Sequence, residues 1–283
     1  MSVANEAFIK LSQALDQCDA IVIGAGSGLS ASAGLTYDGQ RFTQHFQDFI
    51  DTYHLKDMYT AGFYPFPSLE EYWAYWSRHI YYNRYVDPPK NTYQLLKKLV
   101  GDKDYYVITT NVDHQFQRAG FHSDNLFCVQ GDYGLWQCSK PCHDGVYENE
   151  TVVYQMLERQ KDMKIPSELI PLCPVCGAPM SMHLRTDNTF VEPKEWQDAY
   201  HRYERFLEKY RHKAVLFLEL GVGYNTPGII KYPFWNAVMR NPQAWYACLN
   251  AYAECPDEIA AQSILCSEDI HDVLKELVGG VRT

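Results

Sequence analysis

The chain has 283 residues, 46% of them hydrophobic, which suffices to bury one large domain or one domain that carries a smaller inserted one. With 25 basic and 35 acidic residues its net charge is −10, so it offers no basic face for a phosphate backbone and we expect no nucleic-acid partner. It lacks the basic start and apolar run of a signal peptide and the roughly 18 consecutive apolar residues of a membrane span, so we expect a cytoplasmic protein without a membrane partner.

Apolar runs alternate with helical patterns along the chain. Residues 1–20 predict an amphipathic helix, and NTYQLLKKLV and HDVLKELV predict two more. Strands that alternate with helices favour an α/β fold with a parallel sheet covered on both faces, whose ligands bind beyond the carboxyl ends of the strands. The predicted strands are AIVIG at 20–24, YYVIT at 105–109, LFCVQ at 126–130, AVLFLELG at 214–221 and AWYACLN at 244–250.

The first strand runs into the glycine-rich stretch GAGSG at 24–28. Closely spaced glycines before a helix let backbone N–H groups approach a pyrophosphate, although a tight turn without a ligand remains the alternative. Redox dinucleotide folds require a third glycine where Leu29 stands, and a second strand with an acidic end that residues 42–54 lack. The pattern therefore argues against a flavin or hydride-transfer enzyme.

Residues 42–97 are crowded with aromatic side chains, in FYPF, YWAYW and YYNRY. We interpret them as a helical insert that packs over the ligand edge of the sheet. Ordinary core packing is the alternative explanation for each aromatic residue.

Four of the nine cysteines occur as two short pairs, Cys138 with Cys142 and Cys173 with Cys176. Two such pairs separated by a loop place four thiolates in the closed tetrahedron of a structural Zn²⁺ site, which stabilises a fold and does not activate water. Because the first pair is one residue wider than usual, His143 is a possible substitute ligand. Free, buried cysteines are the alternative.

The ordered combination of LSASAGL, PKNTYQLLKKL, TTNVDHQFQRAG, LRTDNTFVE and SEDIHDVLKEL resembles the sirtuin family over residues 20 to about 275. The resemblance implies a Rossmann-like parallel-sheet domain formed by residues 1–41, 98–131 and 183–283. It also implies a smaller domain, formed by a helical module at 42–97 and a zinc module at 132–182. LRTDNTFVE resembles the strand that follows the zinc module, and NAD is expected in the cleft between the domains.

The same resemblance implies which residues meet NAD, although Asn111 and Asp113 also suit an ordinary turn after a strand. The usual order in the family's loop is phenylalanine then arginine, whereas here Arg41 precedes Phe42. The expected contacts are Gly24, Ala25 and Gly26 at the phosphates, Leu29 in the same loop, Asn111 and Asp113 at the nicotinamide and its ribose, Gln130 after the third strand, Asp38 and Arg41 in the cleft, and Gly221, Gly223, Asn225, Asn250 and Ile270 at the adenosine half.

Deacylating sirtuins carry a histidine base before the glycine that follows the third strand, and in CVQGDYG that position is Gln130. An amide can orient a ribose hydroxyl but cannot take its proton near neutral pH, and the loss of a general base typically costs about 10²- to 10⁴-fold in rate. Departure of nicotinamide needs positioning, charge stabilisation and a nucleophile more than it needs this base. Gln130 therefore favours ADP-ribosyl transfer over deacylation.

Gln130, GAGSGLSASAGL and LRTDNTFVE resemble the macrodomain-linked class M sirtuins. That resemblance implies an NAD-dependent protein ADP-ribosyltransferase with Asn111, Asp113, Gln130 and Arg185 at its active site. It further implies a lipoylated acceptor related to the glycine-cleavage H protein, and a macrodomain partner that reverses the modification. Arg185 could instead be a surface arginine, or hold a phosphate or an acidic acceptor. A weak deacylase and a catalytically silent NAD sensor remain alternative functions.

Overall fold

A six-stranded parallel sheet forms the centre of the fold in this computed structural model, which describes residues 3–280, with side chains from residue 6. The terminal residues 1–2 and 281–283, which the predicted domain ranges include, lie outside the described residues. Within residues 3–280 the strands are β1 Ala20–Ala25, β2 Asp104–Thr109, β3 Leu126–Cys128, β4 Gly131–Cys138, β5 Val146–Glu148, β6 Met180–Leu184, β7 Val215–Leu220, β8 Trp245–Leu249 and β9 Ser263–Cys266.

Strand order in the large sheet is β3-β2-β1-β7-β8-β9, with every pairing parallel. In the register, Ile23 of the central strand β1 lies opposite Val107 of β2 and Leu218 of β7. Because every residue of β1 is buried, this strand reads as a continuous apolar run, as expected for a sheet covered on both faces.

Some of the helices cover both faces of this sheet. Within residues 3–280 the helices are α1 Val3–Gln17, α2 Ser27–Ser32, α3 Gly39–Tyr53, α4 Met58–Ala61, α5 Leu69–Ile80, α6 Thr92–Val100, α7 Gln115–Arg118, α8 Glu150–Arg159, α9 Lys194–Lys209, α10 Lys231–Arg240 and α11 Ile270–Gly280. One face buries side chains of α1, α2, α6 and α11, and the other buries side chains of α9 and α10. The predicted α/β fold with a parallel sheet is thereby confirmed.

A second, antiparallel sheet of order β5-β4-β6 carries the cysteine segment. Its inner side shares one core with α3 and α5, in which Trp73 packs against Trp136 with ring centroids 5.0 Å apart. The aromatic residues of YWAYW are therefore core residues of this smaller unit, as the alternative interpretation had it. Helix α6, which the predicted boundary at residue 97 divides, buries Tyr93, Leu96 and Val100 against the large sheet. The domain boundaries stay a prediction.

The prediction of a strand over LRTDNTFVE, residues 184–192, is wrong for all but its first residue. Strand β6 ends at Leu184, and a loop follows. The reason is local: the carboxylate of Asp187 accepts hydrogen bonds from the backbone N–H of Thr189 at 2.8 Å and from its hydroxyl at 2.6 Å, which closes a turn. Within residues 3–280, no helix is both long and apolar enough to cross a membrane.

Candidate active site

The glycine-rich loop packs directly on the end of β7. A Cβ atom on Gly26 would lie 2.7 Å from the carbonyl oxygen of Gly221, and one on Gly28 would lie 2.6 Å from its Cα. Gly221 itself has φ +60°, a conformation that favours glycine. Its carbonyl also accepts a 2.9 Å hydrogen bond from the N–H of Gly28. The glycines therefore allow two backbone segments to approach at the carboxyl edge of the sheet.

Several predicted NAD contacts are core residues. A Cβ on Gly24 would lie 2.3 Å from Ile230, so packing against the start of α10 accounts for this glycine without any ligand. Ala25 and Leu29 are fully buried, and Ile270 is 5% exposed in the core under α11. Any contact of these four residues with NAD would have to come from their backbone.

A buried hydrogen-bond network joins the nicotinamide-side residues to the glycine loop. Asn111 donates from Nδ2 to the carbonyl of Gly26 at 2.9 Å and to the Tyr93 hydroxyl at 3.3 Å. The Tyr93 hydroxyl lies 2.8 Å from the Ser30 hydroxyl, which donates to the Asp113 carboxylate at 2.5 Å. Burial raises the pKa of Asp113 to about 6 despite that hydrogen bond, because water is excluded from the charged form. The network holds Asn111 and Asp113 rigidly at the edge of β2.

Gln130 and Arg185 are neighbours through their backbones. The N–H of Arg185 donates to the carbonyl of Gln130 at 3.1 Å, just after β6 pairs with β4. The guanidinium of Arg185 stacks over the ring of Phe190, with its carbon 5.1 Å from the centroid, and it pairs with Glu192. Gln130 is half-buried, whereas Arg185 is exposed, so the arginine lies where a protein partner can reach it.

A charged cluster lies beside Gln130. The Asp132 carboxylate accepts from Nε of Arg84 at 2.6 Å, and its other oxygen lies 2.6 Å from Nδ1 of His114. Arg84 belongs to a π-helical turn, Tyr81–Tyr85, that continues α5. Burial alone would raise the pKa of Asp132, but the hydrogen bond to His114 and the charge of Arg84 outweigh it and lower that pKa. Asp132 is therefore a carboxylate held in its charged form.

Asp38 and Arg41 both line a cavity of about 530 Å³ between the loop after α2 and the π-helical turn. Asp38 is exposed and precedes α3. Arg41 donates to the carbonyl of Thr36 at 2.8 Å, to Oδ1 of Asn83 at 2.9 Å and to the carbonyl of Tyr82 at 2.6 Å. These bonds fix the loop to the helical module, so the guanidinium is engaged in structure.

The residues expected at the adenosine half surround the loop after β7. Nδ2 of Asn250 donates to the carbonyl of Val222 at 2.9 Å, which supports that loop from the neighbouring strand. Gly223 and Asn225 are exposed, and a Cβ on Gly223 would meet nothing within 4 Å. This part of the edge is open to a ligand.

The four predicted zinc ligands come together at one end of the small sheet. Their sulfur atoms all lie within 4.8 Å of one another, and the pairs Cys138–Cys176 and Cys142–Cys173 are each 3.6 Å apart. A zinc ion with Zn–S bonds of about 2.3 Å would separate tetrahedral corners by about 3.8 Å, so the four thiols fit Zn²⁺. Backbone amides, that of Cys176 first, lower the pKa of Cys173 to about 6, which favours the thiolate.

His143 lies beside this cysteine cluster without replacing a member. Its Nε2 is 3.5 Å from the sulfur of Cys173, while its Nδ1 accepts a hydrogen bond from the N–H of Gly145. Cys142 and Cys176 are exposed, which argues against four merely buried cysteines. The cluster could therefore hold a structural Zn²⁺ through four sulfur ligands.

Comparison with known proteins assigns the family. A protein named Protein ADP-ribosyltransferase from Staphylococcus aureus is 42% identical over 266 residues, which cover 93% of this chain and 84% of that one. A solved Sir2 homologue in complex with NAD has a TM-score of 0.60 at 19% identity and covers 97% of this chain and 93% of its own. The chain belongs to the sirtuin family, among its protein ADP-ribosyltransferases. ADP-ribosyl transfer is the activity named for the Staphylococcus relative of this sirtuin, and NAD is the ligand named for the solved Sir2 homologue.

A third relative is longer than this sirtuin. The Probable bifunctional ADP-ribose hydrolase/ADP-ribosyltransferase from Fusarium oxysporum is 32% identical over 238 residues, which span 80% of this chain and 39% of that protein. No model of a protein family matches the chain.

Several residues of this sirtuin's candidate site were missed by reasoning from the sequence. Tyr93 and Ser30 lie within motifs assigned to the family, but their buried hydroxyls gave no pattern of their own. His114 directly follows Asp113, and Asp132 follows Gln130 by two positions. Their closeness in sequence to predicted site residues is the one feature that could have indicated them. No sequence feature indicated Arg84, because its partner Asp132 is 48 residues away in the sequence.

Proposed function

We propose that this sirtuin transfers the ADP-ribosyl group of NAD to a side chain of another protein and releases nicotinamide. The observation that carries the proposal is Gln130, in the position where deacylating sirtuins have a histidine base. An amide orients a ribose hydroxyl without removing its proton, so the second half of deacylation lacks its base. Loss of nicotinamide and attack at C1′ by a different nucleophile do not depend on that base.

In this proposal Asn111, Asp113, Gln130 and Arg185 form the reacting end of the site. Asn111 is held by Gly26 and by the Tyr93 hydroxyl, so its amide is oriented before NAD binds. Pre-oriented dipoles of this kind stabilise developing charge without the cost of reorganisation. We assign the expected NAD contacts to the same edge of the sheet, with Gly26 and Gly221 on the phosphate and adenosine sides.

We propose a lipoylated carrier of the glycine-cleavage H type as the acceptor. The exposed guanidinium of Arg185, which pairs with Glu192, is accessible to a phosphate or to an acidic acceptor surface. We further propose a macrodomain ADP-ribosyl hydrolase as the partner that reverses the modification. The joint naming of hydrolase and transferase in the Fusarium relative supports this pairing.

The proposal is tested by incubating the protein with NAD and the lipoylated carrier, followed by intact-mass analysis of the carrier. The expected result is a mass gain of one ADP-ribosyl group, with unlipoylated carrier and the Asn111→Ala variant as controls that show none. Absence of any gain on the lipoylated carrier would contradict that acceptor. Deacylation of acyl-lysine peptides would favour the weak deacylase, and NAD binding without nicotinamide release would favour the silent sensor.

A further inference from the structure

Transfer to a hydroxyl, thiol or amine requires a proton acceptor. A neutral nucleophile of this kind still carries its proton when it bonds to C1′, and the product is then positively charged. A base that removes the proton during the attack avoids that charge. Gln130 cannot do so, because its amide does not take up a proton near neutral pH. A transferase with this side chain needs another base close to Gln130.

The chain segments around Gln130 and Asn111 lie side by side. The N–H of Val129 donates to the carbonyl of Thr109 at 3.0 Å, and the N–H of Tyr133 donates to the carbonyl of Val112 at 2.8 Å. These two hydrogen bonds flank Gln130 on one segment and Asn111 on the other. Asp132 lies between Gln130 and Tyr133 on one segment, and His114 lies two residues beyond Val112 on the other. Their side chains are in contact, with 2.6 Å between Nδ1 of His114 and the Asp132 carboxylate.

His114 has the arrangement of an oriented imidazole base. With Nδ1–H donating to Asp132, the lone pair of the neutral ring is on Nε2, and no described residue hydrogen-bonds that atom. The His114 side chain is 29% exposed, whereas that of Asp132 is 11% exposed. Asp132 is itself fixed by Nε of Arg84 at 2.6 Å and by the N–H of Gly134 at 2.7 Å, so the ring's partner cannot turn away.

Three charged side chains lie around this ring. Asp132 faces it from β4, Asp113 precedes it in the loop after β2, and Arg84 approaches from the π-helical turn. Cys128 of β3 is half-buried nearby, and desolvation raises the pKa of its thiol to about 12, which keeps it neutral. A carboxylate in contact with the ring stabilises the imidazolium that forms when it accepts a proton.

We propose that His114 is the general base for ADP-ribosyl transfer, with Asp132 and Arg84 as its positioning residues. The inference rests on the proposed function and names the nucleophile class: an acceptor side chain that carries a proton. The C1′–N bond to nicotinamide breaks and its electron pair neutralises the pyridinium nitrogen. The acceptor forms the new bond to C1′, and its proton passes to Nε2 of His114.

A reaction with azide as the nucleophile distinguishes a general base from a structural residue at position 114. The azide anion carries no proton, so its attack on C1′ needs no base. We expect His114→Ala to transfer ADP-ribose to the lipoylated carrier about 100-fold or more slowly than the native protein. With sodium azide as nucleophile, the same variant is expected to release nicotinamide within about threefold of the native rate, forming azido-ADP-ribose by mass spectrometry. Asp132→Asn should show the same split. His201→Ala, which removes an exposed imidazole paired with Glu204 on α9, is the matched control.

Two results would overturn the role of His114. One is carrier transfer by His114→Ala at the native rate. The other is equal loss of carrier transfer and of the azide reaction, which would make the Arg84–Asp132–His114 cluster a structural contact. Failure of the proposed function looks different: the native protein would release nicotinamide into azide but never modify the carrier. In that case slow hydrolysis of NAD, whose nucleophile also carries a proton, still reports on His114.

Discussion

Replacement of Asp113 by asparagine is expected to make the protein more stable and less active. In the native chain this carboxyl is 5% exposed, and burial raises its pKa from 3.8 to about 6. Between about pH 4 and pH 6, Asp113 is therefore protonated in the folded protein but ionised in the unfolded chain. Stability contributed by the protonated carboxyl is complete below about pH 4 and is lost as the pH rises through about 6.

The size of the effect follows from the two pKa values. Ionising Asp113 in the folded protein rather than in the unfolded chain costs about 3 kcal/mol above pH 7, and only about 1.5 kcal/mol near pH 5. Asparagine has the same shape and no charge, and its oxygen can still accept from the N–H of Gln115, which now lies 3.2 Å from the carboxylate. Asp113→Asn should thus be more stable than the native protein, and more so at high pH.

Thermal unfolding followed by circular dichroism measures this directly. At about pH 8 we expect Asp113→Asn to raise Tm by about 5 °C or more, with roughly half that gain near pH 5. Asp102→Asn, at an exposed position between α6 and β2, is the matched control and should change neither value. A stability difference that is absent, or is the same at both pH values, would refute the assignment of a buried, costly charge to Asp113.

Three further changes test the framework of the site. Gly221→Ala would place a Cβ 2.5 Å from Gly28 at φ +60°, so we expect weaker NAD binding by calorimetry. Gly279→Ala, in open space at the end of α11 and away from the expected NAD contacts, should bind normally. Arg41→Lys removes the planar fork that joins loop and helical module and should cost about 1–3 kcal/mol in thermal unfolding; unchanged stability would contradict its structural role. We expect a colorimetric chelator assay to find zinc in the native protein, and Cys173→Ser should lose that zinc and lower Tm; equal zinc content in the variant would exclude this ligand.

The sequence predicted the features that depend on local patterns. Strand β1 is a continuous buried run because the sheet is covered on both faces, so AIVIG was recognisable from its apolar residues alone. The four cysteines converge because each pair is separated by only two or three residues, and such spacing fixes most of the geometry of the site. The structural role of these residues is determined by their neighbours in the sequence and can be predicted from them.

Features that depend on contacts distant in sequence could not be predicted in this way. Gly24 and Gly26 look alike in GAGSG, yet only the positions of Ile230 and Gly221 show that the first packs against α10 and the second against β7. Arg41 was expected in the cleft, but its partner Asn83 is 42 residues further along the chain. Such roles are set by tertiary packing, which a single sequence does not display.

The measurement that tests the central claim most directly is the ratio of products formed by the native protein when it is given NAD, the lipoylated carrier and an acyl-lysine peptide together. If Gln130 commits this sirtuin to transfer, each nicotinamide released is matched by one ADP-ribosyl group on the carrier, and the peptide keeps its acyl group. Nicotinamide matched by deacylated peptide, with an unmodified carrier, would contradict the account.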